Sequence, residues 1–306
     1  MAEAEFAPDP LAAGEVRAAA PAKVNLYLHV IGRRADGYHL LDSLVVFAGA
    51  ADIVTAAPDG DLSLDIDGPF AKGLPADSGN LVFRAAVALA DKAGIAPKAR
   101  IRLTKTLPVA SGVGGGSADA AAALRCLSHL WGLHVSAREM ADLALSLGAD
   151  VPVCLAGIPS FVGGIGEDIV AAPHLPEIWM VLANPGVAVS TPAVFKARTG
   201  AYSLPGRFET ISADPAGFAG QLTERNNDLM VPAASLAPAI GAVLTELGND
   251  PDCLMTRMTG SGATCFALFD EKSTARREAA RIRAAYPDWW ATSAPVLGGP
   301  AGIEVG

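Results

Sequence analysis

Residues 108–122, PVASGVGGGSADAAA, place four glycines and two serines directly ahead of a run of alanines. Glycine lacks a Cβ, so a backbone rich in it reaches positive φ and approaches another molecule closely, at an entropic cost. Three in a row, Gly114, Gly115 and Gly116, point to a ligand rather than a plain turn. Ser117 stands where an N-cap would, and Ala118, Asp119 and residues 120–123 run into Leu124, Arg125 and Leu127 as helix formers. A loop feeding a helix N-terminus offers unpaired N–H groups and the positive end of the helix dipole, a setting for phosphate or another anion. Neither better-known phosphate loop fits. No lysine follows Lys105 before the end of this helix, as the nucleotide-hydrolase loop would need, and the dinucleotide pattern begun at Gly112 and Gly114 meets Ser117 at its third glycine. A glycine-rich surface turn remains the alternative, so the rest of the chain has to decide.

At 306 residues the chain has room for one large domain or two ordinary ones. Its 51% hydrophobic and 18% charged residues mark a folded protein. A formal net charge of −9 argues against a nucleic-acid partner, whose affinity comes from clustered Lys and Arg, but leaves room for a small anion held by a local loop. The cysteines, Cys126, Cys154, Cys253 and Cys265, lie far apart and form no C-x-x-C pair, which reads as free thiols in a reducing cytoplasm. Residues 1–15, MAEAEFAPDPLAAGE, read as a flexible tail rather than a signal peptide. Apolar runs such as LLDSLVVFAGAADIV break well short of the roughly 18 residues a membrane span needs, so a soluble cytoplasmic protein is expected.

Hydrophobic periodicity gives a coarse plan. VRAAAPAKVNLYLHVI (16–31) alternates as a strand, with Lys23, Asn25, Tyr27 and His29 on its polar phase. Asp36-Gly37 marks a turn, after which residues 40–47 and 51–56 read as two further strands. LVFRAAVALADKA (81–93) has helical spacing and stops at Gly94; ARIRLTKTLP (99–108) reads as a strand delivering the chain into the glycine loop. Helices are expected at about 118–130 and 137–147, strands at 154–157, 161–170 and 177–186, and a loop-rich region with short helices over 190–235. Two strands flank TGSGAT, over 253–258 and 265–269; a helix at 274–285 and a strand at 289–294 close the pattern. The mixture without strict alternation predicts an α+β fold of two lobes, residues 16–165 and 166–306.

A phosphate loop without its own lysine needs a cation and a base from elsewhere, and Lys23 and Asp150 are the candidates. Lys23 sits between Ala22 and Val24, where a lysine is costly without a partner; Asp150, in LGADVPVC, follows a helix stop and precedes Pro152, which favours an extended Val151. A carboxylate beside a lysine accepts or orients a hydroxyl proton while the lysine stabilises the resulting charge. Each also has a plain reading, Lys23 as a surface charge and Asp150 as an N-cap. The second small-residue cluster, Gly260, Ser261 and Gly262, suits either a phosphate contact or a hairpin turn.

In order along the chain, P-A-K-V-N-L, P-x-x-x-G-x-G-G-G-S-A-D-A-A, G-A-D-V-P and T-G-S-G-A-T-C-F resemble the motifs of the GHMP kinases over about residues 18–295. That superfamily includes galactokinase, homoserine kinase, mevalonate kinase and phosphomevalonate kinase. The resemblance implies a ribosomal-protein-like β/α lobe, a C-terminal α/β sandwich lobe and an active site between them. GRRADGYHLLDSLVVF, behind PAKVNLYLHVIG, is similar to the branch that phosphorylates a cytidine diphosphate sugar-alcohol in the non-mevalonate route to isoprenoids. For this chain it implies Lys23 and Asn25 near the phosphoryl acceptor, Asp150 as base, Tyr38 and His39 holding the cytosine, and Phe195 as an aromatic partner. A base stacked between Tyr38 and Phe195 gains roughly 1–3 kcal/mol, with His39 reading its polar edge.

The ATP phosphates would lie along Pro108, Val109, Ala110, Ser111, Gly112 and Val113, then Gly114, Gly115, Gly116, Ser117 and Ala118. Backbone N–H groups of residues 113–118 would stabilise the transferring group, with Gly260, Ser261 and Gly262 facing it. Many relatives carry more glycine where this chain has Ala110-Ser111-Gly112. Magnesium is expected to accompany ATP, with no carboxylate cage of the protein's own; Asp119 could touch it through water, although a helix's first turn already favours an acid. The implied partners are the two small-molecule substrates, without nucleic acid or membrane, for a monomer or weak homodimer. Homoserine or mevalonate as acceptor, or a catalytically silent nucleotide binder on the same fold, are the alternatives.

Overall fold

The computed structural model describes residues 9–306. Residues 1–8 of the expected tail lie outside the described residues. Residues 9–15 are tied down: Arg17 donates to the Asp9 carbonyl, Ala12 N–H to Glu15 Oε2 at 2.9 Å, and Gly306 N–H to the Glu15 carbonyl at 3.0 Å.

Two long antiparallel strands organise the molecule, β1 (Val16–Arg33) and β2 (His39–Ala57). β1 alternates as its sequence implies, yet both phases are buried, the polar one included. The two strands expected over 40–47 and 51–56 are one. Pro21 pairs with Ala51 and Ala22 with Ala48, so Gly49 and Ala50 are the extra residues of a bulge. Proline brings no N–H to the ladder, so the irregularity falls where little bonding is lost.

At 19 residues, β2 has different neighbours along its length. β5 (Ser160–Gly164) pairs with residues 41–45, β10 (Trp290–Leu297) with residues 47–48, and β4 (Ala99–Thr104) with residues 53–57. Through β10 the network continues to β7 (Trp179–Asn184), β9 (Cys265–Phe269) and β8 (Met255–Met258), giving eleven hydrogen-bonded strands among the described residues. β6 (Asp168–Ala171) pairs with β5; β3 (Leu62–Asp67) beside β4 and β11 (Ile303–Val305) beside β1 were not foreseen.

α1 (Leu81–Ala93) runs from its Asn80 cap to left-handed Gly94, and α3 (Ala137–Leu147) opens on a Ser136/Glu139 capping box, both at the expected ends. α2 (Gly115–Leu130) starts earlier than expected: Gly114 stands at its N-cap with φ 64 and no side-chain bond, so Ser117 lies inside the first turn instead. Ala118 and the alanines at 120–123 are buried because α2 is enclosed between the sheet and the apolar faces of α1 and α4. The strand expected at 154–157 is corrected to a helix, α4 (Val151–Ala156), and Val151 is helical rather than extended. Pro152 sits in the first turn, where its missing N–H has no partner to lose.

The second half adds α5 (Thr191–Ala197), α6 (Pro215–Thr223), α7 (Met230–Leu236), α9 (Lys272–Ala285) and the unforeseen α8 (Ala239–Leu247). α5, α7, α8 and α9 cover one face of β7 and β9; the other face joins β1, β2 and α6 in a core holding Tyr27, Phe208, Phe218 and Phe266. The four cysteines are free, and no helix among the described residues is long and apolar enough to cross a membrane.

Arg257 of β8 shows how tightly the halves are joined. Buried among three carbonyls, it donates to Leu26 at 2.5 Å, Leu222 at 2.9 Å and Arg225 at 2.6 Å, and burial draws its pKa down to about 10. Arg257→Met leaves those acceptors unpaired and is expected to destabilise the fold by about 3 kcal/mol, read as a shift in the denaturant midpoint.

Candidate active site

The pair proposed from sequence meets. Lys23 Nζ lies 3.0 Å from Asp150 Oδ2, the lysine side chain 8% exposed and the carboxylate 45%. Asp150 occupies the N-cap position of α4 but its side chain makes no cap bond, so the plain capping role is not the one it fills. Its side chain goes to Lys23.

The loop is laid directly on that lysine. Lys23 N–H donates to the Val113 carbonyl at 2.9 Å, and a Cβ on Gly114 would come within 3.1 Å of the Lys23 side chain. The first bond of α2 runs from Ala118 N–H to the Gly114 carbonyl at 2.9 Å. Gly115, Gly116 and Ser117 therefore present N–H groups with no helical acceptor. Ala110 carries the loop through φ 52, and Ser111 Oγ is tied back to the Pro108 carbonyl at 2.7 Å.

The two glycine clusters interlock. A Cβ on Gly112 would stand 2.8 Å from the carbonyls of Thr259 and Gly262, and one on Gly260 would stand 2.8 Å from the Gly112 carbonyl. Thr264 N–H reaches the Ser111 carbonyl at 3.0 Å, and Asn227 Nδ2 binds the carbonyls of Met258 and Gly260, each at 2.8 Å. Asn25 joins from β1: its N–H donates to Thr259 Oγ1 at 2.9 Å, its Nδ2 to Ser43 Oγ at 2.7 Å, and its buried Oδ1 has no partner among the described residues.

These groups wall a cavity of about 1620 Å³ shared by both halves. That exceeds the roughly 300–1000 Å³ of a single small-molecule site and suits two ligands at once. Lys23, Asn25, Asp150, Gly260, Ser261 and most of the loop line it. Val113, Ala118 and Gly262 do not. Val113 and Ala118 have their side chains in the core, and Gly262 is packed under Met258 and Ile240.

At one end stand Tyr38, His39 and Phe195. His39 stacks on Phe195, with centroids 4.9 Å apart and planes at 20°, while Tyr38 is 62% exposed. Burial, then the charges of Arg33 and Arg198, lower the His39 pKa, so the ring is an uncharged stacking partner. At the other end Leu74, Pro75, Leu81 and Leu103 form an apolar recess next to Lys105, a group that sequence reasoning missed. Lys105 bonds to both Asp52 and Asp119, the latter at 2.7 Å. The signal was present: Lys105 follows Ile101 and Leu103, and Asp52 precedes Val54 and Ala56, in the buried phase of their strands.

Asp119 is thus turned to Lys105, and no group of three His, Cys, Asp or Glu among the described residues could hold a metal ion. The described residues do not build a magnesium site of their own.

Fold and site together define a small-molecule kinase of the GHMP type: the sequence models for the GHMP kinases N terminal domain and the GHMP kinases C terminal match residues 80–158 and 214–288. The chain is 52% identical to the 4-diphosphocytidyl-2-C-methyl-D-erythritol kinase of Paramagnetospirillum magneticum over 278 residues, covering 91% of this chain and 97% of the relative. It is 50% identical over 292 residues to that of Rhodospirillum rubrum, covering 95% and 96%. A crystal structure of a 4-(cytidine 5'-diphospho)-2C-methyl-D-erythritol kinase superposes with a TM-score of 0.73 at 33% identity, over 92% of this chain and 100% of that one. The chain belongs to the 4-diphosphocytidyl-2-C-methyl-D-erythritol kinase family.

Proposed function

We propose that the protein transfers the γ-phosphoryl group of ATP to the 2-hydroxyl of 4-diphosphocytidyl-2-C-methyl-D-erythritol, giving the 2-phosphate and ADP. The observation that carries this is the Lys23 and Asp150 ion pair at 3.0 Å, on the wall of a cavity that also holds the open N–H groups of α2. Asp150 takes the hydroxyl proton as the oxygen attacks the γ-phosphorus, and the bond to the departing ADP oxygen breaks. Lys23 offsets charge at the reacting oxygen. The N–H groups of Gly115, Gly116 and Ser117 hold the phosphates of the magnesium nucleotide, aided by the dipole of α2. Asn25 Oδ1, buried and unpartnered, is an acceptor for a hydroxyl of the sugar-alcohol.

The cytosine lies at the Tyr38, His39 and Phe195 end; to stack on Phe195 it displaces the His39 ring, which then turns to the base's polar edge. Phe195→Ala and Tyr38→Ala are each expected to raise KM for the cytidyl substrate about tenfold, with KM for ATP within about twofold of the parent. We further place the protein in the cytoplasm as a monomer or weak homodimer, with residues 16–165 and 166–306 as its two working units. The decisive assay is ADP release with the cytidyl substrate against homoserine and mevalonate. Turnover with either of those alone overturns the assignment.

A further inference from the structure

One buried ionisable cluster beside the loop takes no part in the transfer just described. Lys105 extends under the first turn of α2, where a Cβ on Gly115 would stand 3.3 Å from its Nζ. With its partners Asp52 and Asp119 it is at most 3% exposed. The two acids are bonded unequally. Asp52 Oδ1 accepts from Thr106 N at 2.6 Å and Leu107 N at 2.8 Å, and its Oδ2 from Lys105. Asp119 Oδ2 accepts from Lys105, the Asp52 carboxyl stands within hydrogen-bond reach of the Asp119 carboxyl, and the buried Asp119 Oδ1 has no donor among the described residues. Lys105 and Asp119 both line the cavity. Two ionised carboxyls against one ammonium would leave net negative charge, desolvated, beneath a site that takes a polyanion. A single proton removes it, and Asp119 Oδ1 is the one oxygen of the two carboxyls without a donor.

We propose that Asp119 meets the nucleotide as a neutral carboxylic acid, its Oδ1–H donated to an acceptor atom of ATP, so that nucleotide binding takes up a proton from the buffer. The inference rests on the reading that ATP occupies this loop. Burial, against the attraction of Lys105 and with the neighbouring charge and hydrogen bond of Asp52 adding to it, pushes the Asp119 carboxyl up to about 8. The charged and titratable groups around it are Lys105, Asp52 and the Cys154 thiol of α4, itself pushed up to about 12 by burial and uncharged. Beyond Cys154 lie Arg125 of α2 and the mutually offsetting Lys23 and Asp150, while α1 packs through apolar Val82, Ala85, Ala86 and Leu89.

The sign follows from the raised pKa. Affinity for the nucleotide is full below about pH 8 and falls as the acid ionises above it, roughly tenfold in Kd between about pH 7 and about pH 9 if only the acid form binds. Calorimetry of the full chain with magnesium and a non-hydrolysable ATP analogue, at about pH 8 in buffers of different ionisation enthalpy, should show uptake of about half a proton per nucleotide. In Asp119→Asn that uptake should vanish and the Kd ratio across the same pH range should shrink to within about twofold. Wild-type binding without proton uptake overturns the proposal, as does equal uptake in the variant. Should the variant fail to fold, the wild-type titration still decides. Absence of nucleotide binding at every pH would instead sink the ATP reading itself.

Discussion

Asp150→Asn should lower kcat by about 10²-fold or more while Kd for ATP stays within about twofold. The amide keeps the size of the carboxylate and loses its basicity, so the hydroxyl proton no longer has a charged acceptor in place. The fold has little reason to suffer: the Asp150 side chain makes no cap bond to α4 and is 45% exposed. Lys23 is the more buried partner, and it retains the amide oxygen as a neighbour. Steady-state ADP release and a nucleotide titration separate the two effects, since a lost transition-state contact lowers kcat without raising KM for ATP. Full turnover in the variant would remove Asp150 from the role of base and with it the silent-scaffold contrast, because a protein that only binds nucleotide has no use for that carboxylate.

Why this pair was readable from sequence, and its surroundings less so, has a physical explanation. Lys23 stands out because a lysine between two small apolar residues of a strand must have a partner; Asp150 stands out because it sits at a helix junction. Their meeting depends on long-range pairing, β1 against the loop and α4 against β1, which local periodicity does not carry. The helices α1 and α3 were legible to the residue because Asn80, Gly94 and the Ser136 capping box are local signals. α4 was misread since Cys154 and Leu155 are apolar in either structure, and the proline that disfavours a helix interior is welcome in its first turn. The gap at Gly49 and Ala50 has the composition of a link, but opposite Pro21 it is a bulge in one strand. The stacking of His39 on Phe195 was not legible, because residue identity does not say which ring of one element packs on a ring of another. Lys105 was set aside as lying outside the loop, although its buried phase in the strand pointed inward beneath it.

The second large effect is expected from Gly112→Val, which should lower kcat/KM for ATP by about 10²-fold and destabilise the fold by about 3 kcal/mol. Gly112 has φ 84, a region where a β-branched residue is a true outlier. Its new Cβ would also stand 2.8 Å from two carbonyl oxygens and 3.0 Å from Gly262 N, all backbone atoms that cannot swing aside. Nor can the segments simply part. Thr264 N–H is bonded to the Ser111 carbonyl at 3.0 Å, and Asn227 holds the carbonyls of Met258 and Gly260 from behind. Displacing the loop moves Gly114 off Lys23 and tilts the open N–H groups of α2, so nucleotide handling falls along with stability. Gly94→Ala supplies the comparison. Gly94 also has a positive φ, 67, but nothing lies within 4 Å of its added Cβ, so only the backbone term of about 1 kcal/mol applies and ATP kinetics should not change. Denaturant unfolding and KM for ATP on the two variants separate conformational strain from the interlock. If Gly112→Val behaves like Gly94→Ala in both measurements, close packing of the two glycine clusters is not what shapes the phosphate loop.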